Sequence, residues 1–272
     1  MIDRVLSVMK EAAETAILPR FRALPAGDIE EKSPGEVVTR ADREAEAYIA
    51  AALSGILSDA VVVGEEAAAG DPELLDAIHG EHPVWLVDPL DGTSNFIAGS
   101  RKFAVMVALL HEGVTTNAWI WRPIDAQAWV AERGSGTSVN GARMQVIERS
   151  RASGTLRGSV RTRFLDDEHR LFAEASGPGL GEILPGSGCA GVEYPELVSG
   201  LQDFVLFRRT LPWDHAPGAL ILQEAGGVAR RWDGTDYAPG DGLEGLIASA
   251  DLATWSIVEK TLLQPRHRRQ MG

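Results

Sequence analysis

The sequence is poor in cysteine and in long apolar runs, and both absences narrow the class of protein. One cysteine, Cys189, occurs among 272 residues, so no internal disulfide can form, and we expect a reducing compartment. No apolar run approaches the roughly 20 residues that a membrane-spanning helix needs. Residues 1–14 carry acidic side chains in a helical pattern and lack the basic start and apolar centre of a signal peptide. These features predict a soluble cytoplasmic protein that has no membrane partner.

Basic residues are also scarce. The chain has 26 Lys and Arg against 39 Asp and Glu, a formal charge of −13. Binding to nucleic acid rests on neutralising phosphates with Lys and Arg, so we expect no nucleic-acid partner. A length of 272 residues is enough to bury a large core, as one domain or as two lobes.

The first half of the chain predicts two helices, two short buried strands that end in acid, and an antiparallel meander. Helical spacing of apolar residues covers 2–18. A second amphipathic helix follows Thr39, which is a plausible N-cap, with Asp42 in the first turn. The polar stretch 23–36 between them is typical of a loop or an exposed hairpin. The predicted strands are residues 61–63, 84–87, 103–110, 114–121 and 127–132.

The second half alternates strands with helices. Around residues 147–154 the composition becomes polar, and we predict a boundary there between an α+β lobe, 1–148, and an α/β lobe, 149–272. The predicted strands are 158–161, 182–184, 204–207, 228–231 and 246–248, and the predicted helices are 169–175, 192–199, 215–225 and 251–263.

Acidic residues follow two of the buried strands and should meet. Glu65 comes after one strand, and Asp88 and Asp91 come after the next, in VWLVDPLDGTSNFIAG (84–99); a further acid, Asp214, precedes an apolar helix. Carboxylates within about 4 Å repel by roughly 4 kcal/mol per pair at an effective dielectric near 20, so such a cluster needs protons or cations. Oxygen ligands favour Mg²⁺, Mn²⁺ or Ca²⁺ over zinc, and the sequence shows no His/Cys cluster.

Gly92-Thr93, at a helix start, adds a second feature to the same stretch. The free N–H groups of a helix start bind phosphate oxygens, and glycine lets a ligand come close. Carboxylate-held cations beside an anion-binding turn indicate metal-assisted hydrolysis of a phosphate ester.

Several motifs resemble the signatures of the inositol monophosphatase family, in the expected order along nearly the whole chain. They are VVTRAD (37–42), GEE (64–66), WLVDPLDGTSNF (85–96), GSG (134–136) with NG (140–141), WDHAPG (213–218) and EAGG (224–227). The resemblance implies a layered αβαβα sandwich of the sugar-phosphatase type, combining α+β and α/β parts. It also implies a homodimer and a Mg²⁺-dependent, lithium-sensitive phosphomonoesterase.

The resemblance further implies a role for individual residues. Two to three Mg²⁺ ions would bind, Mn²⁺ would substitute, and Ca²⁺ or Li⁺ would inhibit. The implied metal ligands are Glu65, Asp88, the Leu90 carbonyl, Asp91 and Asp214, with Asp88 bridging two ions. The implied catalytic residues are Thr93 and Asp42, which orient the attacking water, together with Glu65; Lys32 matches a family lysine near the site. The N–H groups of Gly92 and Thr93 would hold the phosphate.

Substrate choice departs from the inositol pattern. Relatives that prefer inositol phosphate carry an acid shortly before Trp-Asp, whereas this chain has FRRTLP (207–212) before Trp213. Arg208 and Arg209, beside Asp91 and Asp214, therefore join the predicted substrate-binding residues, and a second phosphate on the substrate is a reasonable hypothesis. A 3′(2′),5′-bisphosphate nucleotide, a phosphorylated nicotinamide dinucleotide or fructose 1,6-bisphosphate would qualify. Arg161 and Arg163 could contribute, although pairing of each arginine with a surface acid is an equal alternative.

Plainer interpretations exist for several residues. Asp42 could be a helix-start acid and Asp214 a helix N-cap, while Glu66 is left outside the site. Cys189 is interpreted as an apolar filler and His215 as a packed or surface residue; Pro217 is placed near a first turn, where proline is tolerated. An alternative from another class is a catalytically inactive protein that senses metal or phosphate.

Overall fold

Two β-sheets alternate with three layers of helices in the computed structural model, which describes residues 1–33, 35–147, 155–162 and 165–263. The helices are α1 Ile2–Ala12, α2 Arg40–Ser54, α3 Glu65–Gly70, α4 Thr93–Ile97, α5 Asp167–Ser176, α6 Ala190–Val198, α7 Pro212–Glu224 and α8 Leu252–Leu262. The strands are β1 Ile29–Ser33, β2 Glu36–Thr39, β3 Val61–Gly64, β4 Val84–Asp91, β5 Ala104–His111, β6 Val114–Arg122, β7 Gln127–Glu132, β8 Gly136–Val139, β9 Ala142–Met144, β10 Leu156–Val160, β11 Gly181–Leu184, β12 Phe204–Phe207, β13 Val228–Arg231 and β14 Leu246–Ser249.

The larger sheet has seven strands in chain order, from β3 to β9. Strands β3 and β4 are parallel, and every later pair is antiparallel, as the predicted meander requires. The smaller sheet has the order β11-β10-β12-β14-β13, with a parallel half and an antiparallel half. Strands β1 and β2 form a separate hairpin, so the hairpin alternative for residues 23–36 is the one that forms.

Alternating side chains of the larger sheet explain how the layers stack. On β5, Val105 and Val107 pack with α1 and α2, whereas Ala104 and Met106 pack with α6 and α7. Because successive side chains of a strand point to opposite faces, each sheet can bury both faces against helices. The smaller sheet packs α6 and α7 on one face and α5 and α8 on the other. The predicted αβαβα sandwich is confirmed.

Helix α7 lies in the middle layer and is buried on almost every side. It begins at Pro212 rather than near His215, because proline is well suited to the first position of a helix. The alternative role for Asp214 is therefore wrong: Leu211 occupies the N-cap position, and Asp214 is the third helical residue. Pro217 lies in the second turn, not near the first, and the helix forgoes one backbone hydrogen bond there.

None of the helices in the described ranges is long and apolar enough to span a membrane. The predicted boundary between lobes, at 148/149, lies outside the described residues. The division at 148/149 therefore stays a prediction.

Candidate active site

The parallel pairing of β3 and β4 brings two of the predicted ligands together. Gly64 pairs with Val87, so Glu65 and Asp88 follow at the same edge of the sheet. They line a cavity of about 280 Å³. Among its other lining residues are Leu90, Asp91, Gly92, Thr93, Arg208, Arg209 and Asp214. Asp42 lies behind the cavity wall and is fully buried. The structure therefore brings every predicted site residue to one place.

A bulge at the end of β4 explains how Asp88 and Asp91 can serve one site. Residues three apart in a regular strand point to opposite faces. Asp88 pairs with Met106 and Asp91 with Ala104, so β4 contains one residue more than β5 over this stretch. The bulge restores Asp91 to the side of Asp88. The Leu90 N–H, released from the ladder, donates to Asp88 Oδ1 at 2.9 Å.

Gly92 turns the chain from β4 into α4. Its φ is +88°, and a Cβ there would lie 2.9 Å from the Lys102 carbonyl oxygen. Only glycine adopts this left-handed conformation without strain and leaves room for the neighbouring backbone. The turn places Thr93 at the first position of α4, facing the cavity.

Asp42 and Thr93 form a buried hydrogen-bonded pair. Thr93 Oγ1 donates to Asp42 Oδ1 at 3.0 Å, while Asp42 Oδ2 accepts from the N–H of Thr39 at 2.8 Å and from its hydroxyl at 2.5 Å. Asp42 thus completes a capping box at the start of α2, as its interpretation as a helix-start acid expects, and its catalytic role stays a prediction. Burial raises the pKa of Asp42 to about 6, against the opposing hydrogen bonds from Thr39.

Asp91 is held by the start of α6. Its Oδ2 accepts from the Gly191 N–H at 2.6 Å and from Cys189 Sγ at 3.0 Å. Cys189 is therefore more than the apolar filler suggested by sequence, because its thiol contacts a predicted metal ligand. The start of α6 passes close to β5, since a Cβ on Gly191 would lie 2.5 Å from the Ala104 Cβ. These contacts leave Oδ1 of Asp91 without a protein hydrogen bond within the described residues.

Burial raises the pKa values of three carboxyls in the cavity, and the charges of neighbouring acids add to the effect. The pKa of Asp88 is well above its usual range, first because of burial and then because of the charges of Glu65, Asp91 and Asp214. The pKa of Asp214 is raised in the same way. Burial raises that of Asp91 to about 6, although the bonds from Gly191 and Cys189 oppose the change. A bound cation would stabilise the charged form of these carboxyls.

A group of carboxylate oxygen donors fits a hard divalent cation such as Mg²⁺. In the part of the chain that the structure describes, no three His, Cys, Asp or Glu side chains have their donor atoms gathered as a complete metal-ligand set.

Lys32, from the β1–β2 hairpin, supplies a positive charge at the edge of the cavity. Its Nζ lies 2.9 Å from Glu65 Oε1 and 2.7 Å from Glu66 Oε1. Burial alone would lower the pKa of Lys32, but the two glutamates outweigh it and the net change is upward. Burial raises the pKa of Glu66 to about 6. Glu66, which was left outside the predicted site, therefore shares the ammonium group of Lys32 with Glu65.

Glu46 is a positioning residue that the sequence reasoning missed. Its carboxylate accepts from the N–H groups of Glu66 and Ala67, at 2.8 Å each, and so fixes the start of α3 beside Glu65. A signal was present in the sequence. Glu46 lies one turn after Asp42 on the face of α2 that carries Ala45 and Ile49, where an acid needs a partner.

The predicted substrate arginines line the cavity, each beside a glutamate. Arg208 Nη2 lies 2.7 Å from Glu244 Oε2, and Arg209 forms an ion pair with Glu36. Arg161 also lines the cavity, whereas Arg163 lies outside the described residues.

His215 is packed, which is one of the two alternatives considered. Its Nδ1 is 2.9 Å from the Tyr194 hydroxyl, and burial lowers its pKa to about 3.

The αβαβα sandwich, with its carboxylates at one sheet edge, defines a sugar-phosphatase-like protein. The profile of the inositol monophosphatase family matches residues 1–270. The Nus factor SuhB of Pseudomonas aeruginosa is 31% identical over 242 residues, covering 85% of this chain and 86% of that protein. An inositol-1-monophosphatase of Mesorhizobium japonicum is 32% identical over 243 residues, with 85% and 86% covered. The chain belongs to the inositol monophosphatase family and is a phosphoric monoester hydrolase.

Solved structures agree with this assignment. A Thermotoga maritima IMPase superposes with a TM-score of 0.80 at 26% identity, covering 96% of both chains. The extragenic suppressor protein suhB of Bartonella henselae gives a TM-score of 0.82 at 24% identity, covering 97% of this chain and 98% of that one, and this likeness concerns the fold alone.

Proposed function

We propose that this protein is a Mg²⁺-dependent phosphomonoesterase that hydrolyses a small phosphorylated metabolite by attack of water on phosphorus. The observation that carries the proposal is the Asp42–Thr93 pair at the wall of a cavity lined by Glu65, Asp88, Asp91 and Asp214. A hydroxyl that is hydrogen-bonded to a carboxylate base, next to carboxylates that can bind cations, is suited to metal-assisted hydrolysis.

Glu65, Asp88, the Leu90 carbonyl, Asp91 and Asp214 would hold the cations, two to three in number. The family is generally Mg²⁺-dependent, and we expect Mn²⁺ to substitute and Ca²⁺ or Li⁺ to inhibit. When bound, Mg²⁺ supplies Lewis-acid polarisation of the phosphate and lowers the pKa of water.

The protein's own groups would handle the proton and the phosphate. Thr93 Oγ1 accepts the proton of the attacking water as it passes its own proton to Asp42 Oδ1. A pKa of about 6 leaves Asp42 largely ionised at neutral pH yet basic enough to accept a proton. The backbone N–H groups of Gly92 and Thr93 would bind the phosphate oxygens, and Glu65 would help to orient the water.

The direct test is phosphate release from a generic phosphomonoester, with Mg²⁺ and with a chelator. We expect release that depends on Mg²⁺, that lithium inhibits, and that Asp88→Asn abolishes. Release that survives in Asp88→Asn, or that is unaffected by the chelator, would contradict the proposal. A panel of inositol 1-phosphate, adenosine 3′,5′-bisphosphate, NADP and fructose 1,6-bisphosphate then ranks the substrate classes.

A second candidate is a binding protein that senses metal or phosphate without turnover. Several relatives are named Nus factor SuhB, a name that states no enzymatic activity, and this is the reason for testing the second candidate. Mg²⁺-dependent binding of phosphate without release of product from any ester in the panel would support this candidate over the first.

The assembly that we propose, from the family resemblance, is a homodimer in the cytoplasm. Light scattering on the purified protein measures the mass directly, and a monomer's mass would contradict the dimer.

A further inference from the structure

Arg161 follows β10 and lines the cavity, where a buried glutamate orients it. Its Nη1 lies 3.2 Å from Oε1 and 3.4 Å from Oε2 of Glu193. Glu193 has no exposed surface, and its Oε1 also accepts from the Ser187 N–H at 2.7 Å. The carboxylate therefore ties Arg161 to the loop that precedes α6.

The rest of the Arg161 guanidinium is available. Within the described residues, its Nε and Nη2 have no hydrogen-bond partner, and the side chain is 23% exposed. Arg208 differs, because its guanidinium lies against Glu244 and over the Trp232 ring. A planar guanidinium with two adjacent unused donors is suited to bidentate binding of a phosphate.

The position of Arg161 also favours an anion. Arg161 lines the same cavity as Asp91 and Asp214, so it borders the predicted metal site. Gly186 lets the loop pass close to it: a Cβ there would lie 3.2 Å from the Arg161 Cδ. The Arg161 side chain is thus held at Cδ by the loop and at Nη1 by Glu193. A guanidinium that is already held in place loses little conformational entropy on binding an anion.

We propose that Arg161, oriented by Glu193, binds a second phosphate group of the substrate, so that the preferred substrates are small bisphosphorylated metabolites. The inference rests on the proposed phosphatase function and specifies its substrate class. Glu193 acts through Arg161 and is a positioning residue.

The test compares matched pairs of esters: adenosine 3′,5′-bisphosphate with adenosine 3′-monophosphate, and fructose 1,6-bisphosphate with fructose 1-phosphate. We expect kcat/KM to favour the bisphosphate in at least one pair. Arg161→Gln should lower that preference about 10- to 100-fold, as expected for a lost hydrogen bond between charged groups, because the loss falls mainly on the bisphosphate. Glu193→Gln, which keeps an acceptor for Ser187, should lower the preference less. Arg157→Gln is the matched control, since Arg157 lies on β10, the strand that Arg161 follows, and pairs with Glu182.

Two kinetic results would overturn the inference. An equal loss on both members of each pair would mean that Arg161 serves the reacting phosphate, and no loss on either would mean that it is a structural ion pair. If the wild-type protein releases phosphate from none of these esters, the proposed function fails instead. Calorimetric titration of the same, then unconsumed, ligands would still show whether Arg161→Gln weakens binding of the bisphosphate alone; equal affinities would refute the second-phosphate site.

Discussion

The Thr93 hydroxyl donates to Asp42 Oδ1 at 3.0 Å across a separation of 51 residues. The same carboxylate binds Thr39 through its other oxygen, so both of its oxygens are fixed. Proton transfer from a positioned group contributes about 10²- to 10⁴-fold to a rate. We expect Thr93→Ala to lower kcat by that factor and to change KM little.

Thr93→Ser is the matched control, because it keeps the hydroxyl and should retain most of the activity. Steady-state phosphate release measures both variants. A Thr93→Ala enzyme with kcat near that of the wild-type protein would remove Thr93 from the mechanism.

The raised pKa of Asp42 predicts how stability changes with pH. The carboxyl goes from an ordinary 3.8 to about 6 on folding, so between these values the folded chain binds more protons than the unfolded chain. The contribution of Asp42 to the free energy of unfolding therefore falls as pH rises from about 4 to about 6, by on the order of 2–3 kcal/mol.

Asp42→Asn should remove this dependence. In metal-free protein, the wild type should lose stability relative to the variant from pH 4 to pH 7, as measured by denaturant unfolding. Asp3→Asn, at an exposed position, is the control and should follow the wild type. Parallel curves for wild type and Asp42→Asn would contradict the prediction.

Cation binding should raise thermal stability. A ligand that binds only the folded state at about 100 times its Kd adds about 2.7 kcal/mol, and each kcal/mol corresponds to about 2–4 °C in Tm for a chain of this size. Mg²⁺ should therefore raise the Tm of chelator-treated protein by several degrees. Asp214→Asn should show a much smaller rise in differential scanning calorimetry, and a full rise in that variant would exclude Asp214 as a ligand.

Gly191→Ala should disturb the hydrogen bond from the residue 191 N–H that holds Asp91. The added Cβ would lie 2.5 Å from the Ala104 Cβ and 3.3 Å from Asp91 Oδ2, so α6 must shift. Overpacking of this kind costs about 1–3 kcal/mol, and activity should fall with stability. Gly179→Ala, where a Cβ would meet nothing within 4 Å, is the control. Chemical denaturation compares the two, and equal stabilities would contradict the predicted clash.

Local pattern was enough to predict the edge where the site forms. Alternation and short apolar runs gave β3 and β4, and their parallel pairing makes Glu65 and Asp88 neighbours. The cap formed by Thr39 was likewise visible in sequence, because it depends on residues three positions apart.

Contacts between segments that are distant along the chain could not be predicted from the sequence. Cys189 and Asp91 are 98 residues apart, and Arg161 and Glu193 are 32 apart. No periodicity encodes such pairs, since the packing of α6 against both sheets creates them. The start of α7 was misplaced for a related reason: a helix that is apolar on nearly all sides has no amphipathic edge to mark its first turn.

The middle layer has a consequence for how the protein acquires activity. Helices α6 and α7 bring Gly191 and Asp214 to carboxylates that belong to the first 91 residues. Pairings over such sequence separations form slowly, because the chain entropy of closing long loops is lost before the contacts are gained. Refolded protein should regain secondary structure first and phosphate release last. The return of turnover would then report that both sheets have packed against α6 and α7.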